Sequence, residues 1–202
     1  MSEQAEVTLT AIARIGGEAA LHKLSDYKAL PDREIRQQLV LMWQYFDARA
    51  FAAEVLAGMP LDDVTVQLTS SGQMTCLTGL RRPVPRIHVP GYLLEQPGLM
   101  DALAQASVVA LDIGSASGVS RERSQTGRWT STLRRLTVHA CDRLTDVSGL
   151  AGGAIEELDL RRVSSRLDYG GLAEAPSRLT CPGHAVARRA LPGGRRRCAR
   201  RW

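Results

Sequence analysis

Four features of the sequence carry residue types at spacings that can do chemistry. The first is the pentapeptide GSASG at 114–118. A nucleophile elbow needs its hydroxyl at the centre of the five, on the tight turn between strand and helix. The central residue here is Ala116, so serine hydrolysis is not expected. The second is a pair of half-sites, His139-x-Cys141 and Cys181-x-x-His184, which together offer the thiolates and imidazoles that zinc prefers. The strand spacing derived below puts the halves ~10 Å apart, against the ~4 Å between ligand atoms around one tetrahedral zinc. The third is the lysines. A phosphate-cradling loop ends in Lys followed by Ser or Thr, but Lys23 is followed by Leu24 and Lys28 by Ala29. No nucleotide hydrolysis, metal or cofactor is therefore expected, no carboxylate pair stands apart from surface charge, and the chain is expected not to be an enzyme.

The fourth feature is basic charge. The net charge is +5, yet residues 183–202 hold seven arginines and no acid, so 19 basic and 21 acidic residues remain in 1–182. The body is slightly acidic, and nucleic-acid binding by the body is not expected. The tail could bind nucleic acid or anionic lipid. Its composition cannot bury a core, and a disordered Arg-rich tail is the expectation for 183–202. Only two of the 26 basic residues are lysine, a bias that a GC-rich genome produces without selecting arginine for function. The four cysteines at 76, 141, 181 and 198 are sparse and fit reduced thiols in the cytoplasm. There is no stretch of eighteen apolar residues and no basic-then-apolar leader in MSEQAEVTL, so neither a membrane span nor a secretory signal is expected.

What would position any site is a repeat. Alternating apolar triplets recur as V64-T-V66, I87-H-V89, L111-D-I113, L136-T-V138, L158-D-L160 and L179-T-C181, separated by 23, 24, 25, 22 and 21 positions. Three places before each lies Leu61, Val84, Val108, Leu133, Ile155 or Pro176. Seventeen of these eighteen positions are apolar in a chain that is 44% apolar overall, which chance does not supply along with near-equal spacing. Each triplet predicts a short strand with its first and third residues buried. Stacked copies form a parallel sheet, since one copy cannot bury its own edge.

The residues between the buried ones are spared from packing, so they are the binding candidates. The middle row is Thr65, His88, Asp112, Thr137, Asp159 and Thr180. The row before it contains Asp63, Arg86, Ala110, Arg135, Glu157 and Arg178. The row after it contains Gln67, Pro90, Gly114, His139, Arg161 and Pro182. Arg86, His88, Asp112, Arg135, Thr137, His139, Glu157, Asp159 and Arg161 are the candidate contacts for a protein or other macromolecular ligand.

The first sixty residues follow helical periodicity. Asp32 is placed to cap a helix with Ile35, Leu39, Met42 and Phe46 at helical spacing. A second helix spans Asp47 to Ala57 and stops at Gly58 with Pro60 beyond. Residues 3–15 and 17–24 predict shorter helices. These would cover the open edge of the first strand, as a stacked array requires. Trp43, Tyr45 and Phe46 are expected to pack between helix and repeats rather than form a ligand box.

The best copies, LRRLTVHACDRLTDVSGLAG at 133–152 and IEELDLRRVSSRLDYGGLAE at 155–174, resemble short, internalin-like leucine-rich repeats. Only Cys141 matches the family's Asn or Cys after the strand. The helical stretch LVLMWQYFDARAFAAEVLAG leading into such repeats is similar to the C-terminal sensor region of bacterial, especially actinomycete, NACHT-type signalling NTPases, without the NTPase domain. The resemblance covers roughly residues 30–182 and implies an α/β leucine-rich repeat solenoid with a concave binding face. The expected organisation is a helical cap at 1–60, a solenoid of about six short parallel strands at 61–182, and the tail at 183–202. The implied function is a non-catalytic recognition module, the sensor end of a cytoplasmic signalling or defence protein. The alternatives are a free-standing adaptor and a nucleic-acid binder acting through the tail.

Overall fold

The computed structural model describes residues 3–80, 83–114, 132–139, 155–161 and 178–180. Two helices, α1 (Glu3–Ile15) and α2 (Gly17–Ser25), are joined at Gly16 and Gly17. Both glycines have positive φ, 68° and 77°, a conformation a Cβ would strain. Helix α3 (Arg33–Met42) starts where Asp32 accepts hydrogen bonds from the amides of Glu34 and Ile35. Helix α4 (Ala48–Glu54) is capped in the same way by Asp47 and continues into a 3-10 turn at Leu56–Gly58. An acidic cap satisfies orphan amides and also meets the positive end of the helix dipole.

The strands are β1 (Val66–Gln67), β2 (Arg86–Pro90), β3 (Ala110–Gly114), β4 (Arg135–His139), β5 (Glu157–Arg161) and β6 (Arg178–Thr180). They form one open sheet in the order β1-β2-β3-β4-β5-β6, every pair parallel. The fold class is thus mixed α/β with a parallel sheet. Ile87, Leu111, Leu136, Leu158 and Leu179 are successive partners across it, as the triplets predict. In β2 to β5 the alternate residues are buried, Leu158 completely. One continuous apolar core runs from Leu9 in α1 to Leu160 in β5.

Three details differ from the sequence expectation. The first strand is displaced by two residues, so that Val66 rather than Val64 pairs with Ile87 and Gln67 lies beside His88. The cause is α3. The carboxamide of Gln37 donates from Nε2 to the Thr65 carbonyl (3.0 Å) and accepts from the Thr65 amide at Oε1 (2.8 Å). One side chain thereby takes the place of a neighbouring strand. Arg33 Nε reaches the Asp63 carbonyl (2.8 Å), and the buried Arg36 guanidinium bonds the Asp63 carboxylate. At i, i+3 and i+4 these three side chains share one face of α3, which covers the sheet edge.

The second difference is that the first two connections contain helices, which the triplets do not predict: α5 (Ser71–Leu77) after β1 and α6 (Leu99–Gln105) after β2. The third concerns the aromatic group. Trp43 is fully buried and donates Nε1 to the Ala48 carbonyl (2.9 Å), and Phe46 meets Phe51 at 5.5 Å, but Tyr45 is 58% exposed and lies apart from the core.

Candidate functional site

Because side chains alternate along a strand, the residues between the buried ones share one face of the sheet. All nine candidates lie on it, each exposed or half-buried. The register sets Arg86, Ala110, Arg135, Glu157 and Arg178 in one row, and Gln67, His88, Asp112, Thr137, Asp159 and Thr180 in the next. Thr65 is therefore corrected out of the middle row, its place beside His88 taken by Gln67. The shift of two keeps Gln67 on the same face.

Among the described residues the face holds three charged groupings. Arg135 Nε donates to Glu157 Oε2 at 2.6 Å across β4 and β5. Asp112 on β3 sits between two histidines, with Oδ2 3.2 Å from His88 Nδ1 and Oδ1 3.5 Å from His139 Nε2. Asp159 pairs within its own strand, accepting from Arg161 Nε (2.9 Å) and Nη2 (2.6 Å) at Oδ2. That hydrogen-bonded pair, then the charge of Asp159, raises the Arg161 pKa, with a smaller contribution from Asp112. The Oδ1 atoms of Asp112 and Asp159 are both buried and lack a hydrogen bond among the described residues. Thr137 separates these two aspartates in the row.

The floor beneath His88 is Gly114, where a Cβ would stand 2.9 Å from His88 Cε1. The imidazole thus lies against the β3 backbone. A side chain there would displace the imidazole from its present place.

At the strand starts the backbone repeats one feature. The Pro85 carbonyl accepts from both Val109 and Ala110, the Val109 carbonyl from Arg134 and Arg135, and the Arg134 carbonyl from Glu156 and Glu157. Arg134 and Glu156, which the alternation rule passes over, are brought within 3.5 Å of each other here. The doublets Arg134-Arg135 and Glu156-Glu157, at equivalent places in successive copies, were the sequence signal for this second row.

Among the described residues no group of three or more His, Cys, Asp or Glu side chains is arranged to hold a metal. Cys141, Cys181 and His184, residues 115–118 of the GSASG segment, and the tail 183–202 lie outside the described residues. No helix among the described residues is long and apolar enough to cross a membrane. No protein-family model, curated protein or solved structure matches this chain.

Proposed function

We propose that this chain is a non-catalytic recognition module whose polar sheet face binds a protein ligand. The observation that carries this is the face itself. Across β2 to β5, alternate residues bury one apolar side while the other side presents Arg, His, Asp, Glu and Thr in fixed register. A rigid parallel sheet holds such groups in place before the ligand arrives, which lowers the ordering cost of binding. Mixed charge of both signs favours selectivity over raw attraction.

The finer reading is a leucine-rich repeat solenoid, the sensor region of a NACHT-like signalling or defence protein. Consecutive parallel pairing at spacings of 21–25 residues supports it, as does the helical cover on the β1 edge. An NTPase encoded in frame with this segment would favour the sensor; its absence there would leave a free-standing adaptor.

The test is retrieval of cellular partners by the wild-type chain and by Arg135→Glu/Asp159→Arg, once both have equal melting temperatures. A partner held by the wild type and lost by the variant supports the face as the site. Equal retention of every partner overturns it.

A further inference from the structure

We infer that Arg86 anchors a groove that takes an acidic side chain, flanked by an apolar one, from an extended segment of a protein partner. This rests on the recognition reading above and names the chemistry recognised. The groove runs along the starts of β2 to β5 and encloses about 460 Å³, within the ~300–1,000 Å³ of sites that hold small ligands.

Its two halves differ. On the β4–β5 side each cation has its counter-ion, Arg134 with Glu156 and Arg135 with Glu157. On the β2–β3 side the lining is Asp62, Pro85, Arg86, Val109 and Ala110, with Asp62 and Arg86 not in ion-pair contact among the described residues. Val109 is 40% exposed, an apolar step at the mouth of the groove. The Arg86 side chain is exposed and makes no hydrogen bond or ion pair among the described residues. A guanidinium presents a rigid fork of donors that matches a carboxylate with two parallel hydrogen bonds. An apolar neighbour seated on Val109 and Pro85 would exclude water from that pair and strengthen it.

Arg86, the one lining guanidinium with no contacting counter-ion among the described residues, suits a single carboxylate rather than a polyanion. Three arginines line it, and so do three carboxylates, Asp62, Glu156 and Glu157. A phosphate dianion or a nucleic-acid backbone would meet repulsion as well as attraction, since polyanion binding needs several uncompensated cations. The main chain offers little, because the carbonyls of Pro85, Val109 and Arg134 each already accept two amides. Selection therefore falls to side chains.

The experiment is selection of a displayed library of random linear peptides against the wild-type chain and Arg86→Glu, with Arg86→Met as a second variant and equal melting temperatures required. The wild type should enrich peptides with Asp or Glu beside Val, Leu or Ile. Their affinity should fall about tenfold or more in Arg86→Met, as for loss of one partner of a charge pair. Arg86→Glu should enrich Lys or Arg at the same place. Undiminished binding to Arg86→Met, no enrichment, or displacement of the peptides by single-stranded DNA would overturn the assignment. Peptides that depend on Asp112 or Arg161 but not on Arg86 would sink the groove and leave the face as a recognition surface. Equal retention of every partner by Arg135→Glu/Asp159→Arg in the retrieval experiment would sink both.

Discussion

Replacing Gln37 with Leu tests how the helices close the sheet. The change keeps nearly the same helix propensity and shortens the side chain by one atom, and it removes both hydrogen bonds to Thr65, at 3.0 and 2.8 Å. Each is worth about 0.5–1.5 kcal/mol net. Gln37 and Thr65 are only half-buried, so water re-solvates the freed groups in part, and the sum stays at about 1–3 kcal/mol. For a domain of this size each kcal/mol lowers the melting temperature by about 2–4 °C, giving a drop of about 2–12 °C. Calorimetry reads that drop, and hydrogen exchange reads the Thr65 amide, which should lose protection by about tenfold or more. Gln44→Leu is the control, because Gln44 is exposed and bonds only within its own turn; it should change stability by less than about 0.5 kcal/mol. A Gln37→Leu chain as stable as the wild type, with Thr65 still protected, would refute the idea that this carboxamide stands in for a strand.

Leu158→Ala should cost about 2–5 kcal/mol by urea denaturation, because Leu158 is fully buried between its partners Leu136 and Leu179; a cost under about 1 kcal/mol would contradict close packing there. Gly114→Ala should displace His88, whose Cε1 would lie 2.9 Å from the new methyl. The His88 ring resonances should then move; unchanged resonances would refute the contact. Burial raises the pKa of the Cys76 thiol, so less thiolate is present at pH 8 and Cys76 should be alkylated by iodoacetamide more slowly than free cysteine. Reaction at the free-thiol rate, followed by peptide mass spectrometry, would contradict that.

The strands and their facing rows were legible because a two-residue period is a local signal, and triplets such as L136-T-V138 state it plainly. The same property explains the error at β1. A shift of two residues leaves every side chain on its face, so the pattern could not choose between Val64 and Val66 as the partner of Ile87. That choice depends on Gln37, about thirty residues away in sequence, reaching Thr65. Helix α5 was missed, although Ser70 and Gln73, which form a reciprocal capping box, carry a sequence signal for its start. Helix α6 is seven residues long, too short for its period to stand out. Of the site, the charged rows were legible, but the pairings were only partly so. Arg135 and Glu157 meet across strands as register implies. Asp159 instead turns to Arg161 on its own strand, since residues two apart also share a face, and this competition is decided by side-chain rotamers that no spacing records.

The claim that the polar sheet face is the recognition surface is tested most directly by hydroxyl-radical footprinting of the chain with and without a partner recovered through it. The account predicts that His88 and His139, half-buried on the face, become protected on binding. Ile15 and Tyr45, 81% and 58% exposed on the helical side, should keep their reactivity. Protection of Ile15 and Tyr45 with both histidines unchanged would contradict it.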